Sequence, residues 1–262
     1  MNRLLIMLAV ALGILGSRIA AADPAMPRVL TAPTAWLPPM GGVVATAGVD
    51  RRGDGSATLA LGLGIASVEI GTDTDVRGCV TCEDDLKGDA LWLGRAAFRL
   101  GASQDAWFPG MPAVVIGLRN TFAARGHTFG GARATDAYLV ASRVMGPIRL
   151  HVGGAITDGG SKGIELGPTV RPFAGLEWTP SPYPRTSVLA DVMWTPKLET
   201  DRVELEWLAG WGVRYQAVKW GSIELAVRHR QDEGLAESTV LVRLNGVWNP
   251  RGSDDKKAVL AR

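Results

Sequence analysis

Histidine, cysteine and lysine are scarce in this chain of 262 residues: three His, two Cys and six Lys. So few imidazoles and thiols leave a zinc cluster short of donors, since such sites need four ligands at matched spacings. The pair Cys79-Val80-Thr81-Cys82 stands alone. In an exported chain it reads as a local loop disulfide, with metal or redox use as the alternatives. No G-x-S-x-G is present to mark a nucleophile elbow. Beyond residue 22 there is no unbroken apolar run of the ~20 residues that a membrane-spanning helix requires. The chain also lacks a charge excess. Its formal net charge is +2, and Arg3 and Arg18 lie in a segment expected to be removed. The remaining 26 bases face 26 acids, which gives no sign of the basic face that nucleic-acid binding needs.

What the chain does have is glycine (33), tryptophan (9), 47% hydrophobic residues and 22 Arg. The glycines follow no triplet period, which excludes collagen, and the apolar content excludes a disordered chain. Residues 1–22 form an export signal: Met1-Asn2-Arg3 is basic, Leu4–Gly16 is apolar, and Ala20-Ala21-Ala22 is a small-residue cleavage site before Asp23-Pro24.

From there to residue 248 the hydrophobic period is two. Val203, Leu205, Trp207, Ala209, Trp211, Val213 and Tyr215 alternate with Glu204, Glu206, Leu208, Gly210, Gly212, Arg214 and Gln216. Strands of this length exceed those of soluble sheets and suit a tilted bilayer crossing. Strands are expected near 42–50, 56–64, 66–72, 88–101, 112–123, 134–145, 147–157, 169–179, 185–195, 202–217, 220–230 and 237–248. Tight and longer connections alternate between them. Trp178, Trp194, Trp220 and Trp248 sit near strand ends, as in aromatic girdles. The expected fold is all-β, a single antiparallel transmembrane β-barrel of about 12 strands (10–14) spanning residues 23–248. A polar tail over 249–262 is expected in the periplasm. The location is the outer membrane of a Gram-negative-type bacterium.

Parity assigns an inward, lumenal face. Its basic candidates are Arg95, Arg99, Arg119, Arg143, Arg149, Arg171, Arg214, Arg228, Arg230 and Arg243. Its acids are Glu69, Glu177, Asp191, Glu204, Glu206 and Glu224. Such a face makes either an Arg–carboxylate network that fills the lumen or an electropositive passage for anions. His151 falls on the same face and His229 on the outer one. No catalytic residue, metal site or cofactor is expected, and the protein is read as not an enzyme.

Several segments carry a family resemblance: "TAPTAWLPPMGGVVATAGVD" (Thr31–Asp50), "LALGLGIASVEIG" (Leu59–Gly71), "AYLVASRVMGPIRLHVG" (Ala137–Gly153) and "PFAGLEWTPSPY" (Pro172–Tyr183). They resemble the YjbH-like outer-membrane β-barrels associated with exopolysaccharide production, with Thr31–Asp50 similar to that family's entry strand. The chain is shorter than the long members and lacks their second large region. The resemblance implies a role in polysaccharide export, with outer-membrane lipid, a periplasmic export protein and a polysaccharide as partners. It implies no catalytic residues. Two alternatives stand beside it: a porin-like channel preferring small anions, and an outer-membrane barrel hydrolase built around His151. All three require the barrel. Outer-membrane fractions should therefore show heat-modifiable gel migration, with unboiled and boiled protein running at different positions; identical migration would refute the fold.

Overall fold

The computed structural model of the chain describes residues 26–50, 55–73, 93–123, 133–161, 164–165, 167–198 and 203–249. The export signal expected over residues 1–22, Cys79, Cys82, His127 and the tail beyond Asn249 lie outside those residues.

Twelve long strands and one two-residue strand form a single antiparallel sheet closed on itself. They are β1 (Val43–Asp50), β2 (Gly55–Gly62), β3 (Ala66–Asp73), β4 (Leu93–Ala102), β5 (Ala113–Ala123), β6 (Arg133–Met145), β7 (Ile148–Ser161), β8 (Ile164–Glu165), β9 (Thr169–Trp178), β10 (Thr186–Leu198), β11 (Val203–Val218), β12 (Gly221–Arg230) and β13 (Thr239–Trp248). The short β8 pairs only with the end of β7, so β7 also pairs with β9 and the wall holds twelve staves. The ring closes where β1 meets β13, from Val43↔Trp248 to Asp50↔Leu241. Closure leaves none of the twelve staves with an open edge, which a sheet in lipid requires.

The strands form where the period-two pattern places them because each residue faces either lipid or lumen. Leu59, Ile70, Phe98, Ile116, Leu118, Leu139, Val152, Val170, Leu225 and Leu244 are exposed on the outer face. Their inward neighbours are the buried polar residues, including Arg99, Arg119, Arg171, Arg214, Glu69, Glu177, Asp191 and Glu224. At one end the connections are short: residues 63–65, Gly146-Pro147 and Lys219-Trp220. In outer-membrane barrels such turns face the periplasm. The exposed Trp107, Phe108, Trp178, Tyr183, Trp220 and Trp248 ring that end. Trp194 and Trp207 are paired across β10 and β11 nearer the opposite end, and His229 lies beside Trp207 at 5.4 Å between ring centroids. His229 faces outward there and meets the Ser238 hydroxyl at 3.0 Å.

One strand corrects the expected inward face. On β6 the buried positions are Ala134, Asp136, Tyr138, Val140 and Ser142, so Arg143 is exposed on the outer face. The same parity brings Asp136 into the lumen, where no acid was expected. Both changes follow from a one-residue shift of face, which exchanges every side chain of a strand. Val140, Ala141, Val144 and Met145 are apolar on both faces and do not declare the parity. Arg143 lies close to the short-turn end, where a long cation reaches the membrane surface at small cost.

Leu118, at the middle of β5, is 55% exposed and faces the lipid. Leu118→Arg should destabilise the folded barrel by about 2–4 kcal/mol, the cost of a cation at the bilayer midplane. Urea titration of the protein folded into vesicles measures this, with Leu118→Ala as the milder control.

Candidate functional site: a lumen closed by an N-terminal hairpin

The segment before β1 does not lie along the wall. Residues 26–36 turn back inside the barrel as a narrow hairpin. Arg28 bridges Pro33, the Val29 N–H donates to the Ala32 carbonyl at 3.0 Å, and the Thr34 N–H donates to the Pro27 carbonyl at 3.0 Å. The Thr34 hydroxyl donates to the Met26 carbonyl at 2.6 Å. Val29, Leu30, Ala32 and Thr34 are completely buried. Thr31–Thr34, expected within an entry strand, thus form the lumenal hairpin, and the strand begins at Val43.

An irregular segment enclosed by protein must satisfy its backbone polar groups without strand partners. Pro27 and Pro33 carry no N–H to satisfy. The N–H groups of Leu30, Thr31 and Ala32 all donate to one oxygen of Asp191, at 3.1, 2.6 and 2.7 Å. The Ala35 N–H donates to the Ser142 hydroxyl at 2.7 Å. Carbonyls are met by arginines: Arg214 donates to Val29 at 3.2 Å, Arg243 to Leu30 at 2.9 Å, and Arg99 to Thr34. These wall residues therefore act as backbone partners for an inserted loop as well as charges.

Apolar packing completes the seat. Ala32 and Ala35 join Ala113, Val115, Tyr138, Val140, Ala155, Phe173 and Met193 in one cluster, against which Trp36 and Leu37 pack. Val29 and Leu30 pack on Leu189 and Ala226, and Met26 on Val44 and Ala60. Two wall glycines make room. A Cβ on Gly175 would stand 2.7 Å from Val29 Cγ2, and one on Gly210 would stand 2.6 Å from Asp191 Oδ1 and 3.1 Å from Leu30 Cδ1.

The remaining charges form ion-pair chains between the staves. Arg149 and Arg214 share Glu177 at 3.4 and 3.2 Å. Arg214 and Arg243 share Glu224 at 2.7 and 3.1 Å. Arg95 and Arg28 share Glu69 at 2.7 and 3.5 Å. Asp136 binds both Arg119 and Arg171 and accepts from the Thr157 hydroxyl at 2.6 Å. Arg230 pairs with Glu206, and Lys197 with Asp232 at 3.0 Å. Glu204 lies opposite Lys197 on the neighbouring strand, and Arg228 is buried on the inner face of β12. The structure thus brings the expected lumen residues together, apart from Arg143, and adds Asp136 and Arg28. Buried pairs of this kind are costly to break, because losing one partner strands the other charge.

His151 is wholly buried on the inner face of β7. Its Nδ1 meets the Ser142 hydroxyl at 2.7 Å, and its Nε2 lies 3.5 Å from Glu177 Oε1. The serine oxygen simultaneously accepts from the hairpin at Ala35, and Trp36 lies edge-on to the imidazole at 6.1 Å. With this geometry the three side chains hold the hairpin against the wall, and the hairpin covers them. No group of His, Cys, Asp and Glu suited to a metal ion occurs among the described residues.

Among known proteins, no family model and no curated protein matches the chain. Solved structures do resemble it. A KdgM porin aligns with a TM-score of 0.50 at 6% identity, covering 79% of this chain and 99% of that one. A NanC porin aligns with a TM-score of 0.51 at 9% identity, covering 78% and 98%. At these identities the likeness concerns the fold, and with the apolar belt it identifies the class: a twelve-stranded β-barrel protein of the outer membrane.

Removing the Asp191 carboxylate leaves three buried N–H groups without an acceptor. Hydrogen bonds to charged groups are worth ~1.5–3 kcal/mol each and are not additive, so Asp191→Ala should loosen the hairpin at a cost of about 3 kcal/mol or more. Gly175→Val should do the same by collision with Val29. In both variants a cysteine placed at Ala32 should react with a water-soluble maleimide, while the same cysteine in the parent barrel stays protected. Equal protection would show that Asp191 and Gly175 do not hold the hairpin.

Proposed function

We infer that the protein is a porin-like outer-membrane channel for small anionic solutes, narrowed by its own N-terminal hairpin. The observation that carries this reading is the balance of charge on the lumen face. Among the described residues, Arg28, Arg95, Arg99, Arg119, Arg149, Arg171, Arg214, Arg228, Arg230 and Arg243 face Asp50, Glu69, Asp136, Glu177, Asp191, Glu204, Glu206 and Glu224. A lumen with more guanidinium than carboxylate favours anions, and its low-dielectric wall strengthens that preference. The barrel also shares its architecture with proteins that are porins. Twelve staves lie between the eight that side chains fill and the 16 or more that leave an aqueous channel. An inserted hairpin is what brings such a lumen down to a narrow passage.

Export of polysaccharide is the second reading. It rests on the family resemblance, whose Thr31-Ala32-Pro33-Thr34 element forms the hairpin itself. Unchanged surface polysaccharide in a deletion strain of a producing bacterium would remove it. A hydrolase centred on His151 fares worse, because Ser142 and His151 are sealed beneath Ala35 and Trp36. Ester hydrolysis that survives in His151→Ala would dispose of it.

The channel reading is tested in planar bilayers. The parent barrel should show small, anion-selective conductance, and Asp191→Ala should increase the conductance several-fold while keeping the selectivity. A barrel that stays silent in both forms would overturn the channel.

A further inference from the structure

One position on the lipid-facing wall breaks its apolar character. Arg143 lies two residues in from the end of β6, so its Cα is about 7 Å inside the strand end at the ~3.4 Å rise of a strand. On the outer face Leu150 stands opposite it, and Met145, Ile148 and Trp178 form the next row toward the periplasm. The Arg143 side chain makes no ion pair or hydrogen bond among the described residues. A Cβ added at Gly110 would stand 3.6 Å from Arg143 Nη2, so the guanidinium runs down the wall toward the connection between β4 and β5. A cation on such a wall needs a polar or anionic partner at its head.

That connection, residues 103–112, is longer than the tight turns at the same end and is braced internally. The Ala106 N–H donates to the Ser103 carbonyl at 3.2 Å with Asp105 at φ 59°, and the Met111 N–H donates to the Phe108 carbonyl at 3.2 Å with Gly110 at φ 88°. Both turns carry a positive φ at the third residue, and Pro109-Gly110 is the pairing a type II turn favours. Asp105 joins the two turns. Its N–H donates to the Met111 carbonyl at 3.0 Å, and its carboxylate accepts from the Gly110 N–H at 2.6 Å and the Gln104 amide at 3.3 Å. Gln104 accepts from the Val144 N–H at 2.9 Å, which ties the loop to β6 beside Arg143. The single acid of the loop is thus used within it. Trp107 and Phe108, where the turns meet, are left 77% and 59% exposed.

We propose that Arg143 and this loop form a binding site for the phosphate of a glycerophospholipid in the periplasmic leaflet. The site does not depend on what the lumen carries. A guanidinium holds a phosphate through two parallel N–H donors. Its Cα lies within the apolar rows and its long side chain turns toward the interface, the height at which a headgroup phosphate sits. Trp107 suits the headgroup level, with an apolar ring and an N–H donor, and Phe108 adds apolar surface for acyl chains. That surface is continuous with the lipid belt, because toward the midplane from Arg143 the outer face continues as Ala141 between Val114 and Val152. A periplasmic protein would meet the loop tip, but it would have to enter the lipid layer to meet the guanidinium.

Native mass spectrometry of the full-length barrel in detergent, with phosphatidylglycerol, phosphatidylethanolamine and diacylglycerol as probes, tests the site. Both phospholipids should be retained, and diacylglycerol, which lacks the phosphate, should not. Arg143→Gln should weaken phospholipid retention about tenfold, the equivalent of one charge-assisted hydrogen bond, and Arg143→Lys should recover part of the loss. Trp107→Ala should weaken retention by a smaller factor. Lys219→Gln, in the turn between β11 and β12, should leave it unchanged and controls for charge in general. All three residues are exposed, and heat-modifiable migration verifies that each variant is folded. Excess inorganic phosphate should not displace the lipid; displacement would assign the site to a free anion and overturn the proposal. Equal retention of diacylglycerol and phospholipid overturns it, as does retention that Arg143→Gln and Lys219→Gln alter alike. Retention that neither Arg143→Gln nor Trp107→Ala reduces overturns it and leaves the loop to a protein partner. A barrel that never conducts but selects phospholipid through Arg143 removes the channel and supports the site.

Discussion

One oxygen of Asp191 accepts the N–H groups of three successive residues, and the arrangement of the lumen depends on that contact. A carboxylate buried alone in a barrel wall would be prohibitively costly. Three backbone donors repay much of that cost and fix the hairpin at the same time. With the hairpin fixed, the carbonyls of Val29, Leu30 and Thr34 become acceptors for Arg214, Arg243 and Arg99. The apolar side chains of the hairpin then give Leu189, Ala226, Val44 and Ala60 something to pack against. The clusters that serve this barrel as a core are made by a segment that belongs to no strand.

The charges follow the same logic. A ring of twelve staves encloses more space than wall side chains alone would close. The inward arginines span it by reaching in two directions, to acids on neighbouring staves and to the hairpin backbone. Arg is suited to this work because its fork offers several fixed donors and keeps its charge in poor solvent. Arg214 illustrates the point, contacting Glu224, Glu177 and the Val29 carbonyl together. Lysine, with a single terminal ammonium, would meet fewer of these partners.

The barrel was legible in the sequence because lipid and lumen impose opposite demands on alternate residues. The strand read over 202–217 lies at Val203–Val218, and that read over 112–123 lies at Ala113–Ala123. The face of β6 was misread where the alternation fades, between Tyr138 and Met145, and that one shift moved Arg143 out and Asp136 in. The hairpin was not legible at all. Val29-Leu30-Thr31-Ala32 has no period, and its meaning depends on Asp191, 160 residues further along the chain from Thr31. Proline at 27 and 33 is the local trace it leaves: a segment that avoids pairing also needs fewer donors satisfied.

The position of the hairpin has a consequence for how the barrel is made. It immediately precedes β1, and β1 meets β13 at the closing seam. The contact between Arg243 and Leu30 spans 213 residues and the one between Arg214 and Val29 spans 185. Such contacts cannot form until the last staves exist, and long-range contacts of this kind are the slow ones. The first part of the barrel to be synthesised is therefore among the last to reach its place. Until it does, the arginines that will hold it face water, and the open ring is stabilised by its ladders and its lipid belt alone. Seam closure and the filling of the interior thus involve the same stretch of chain, residues 26–50.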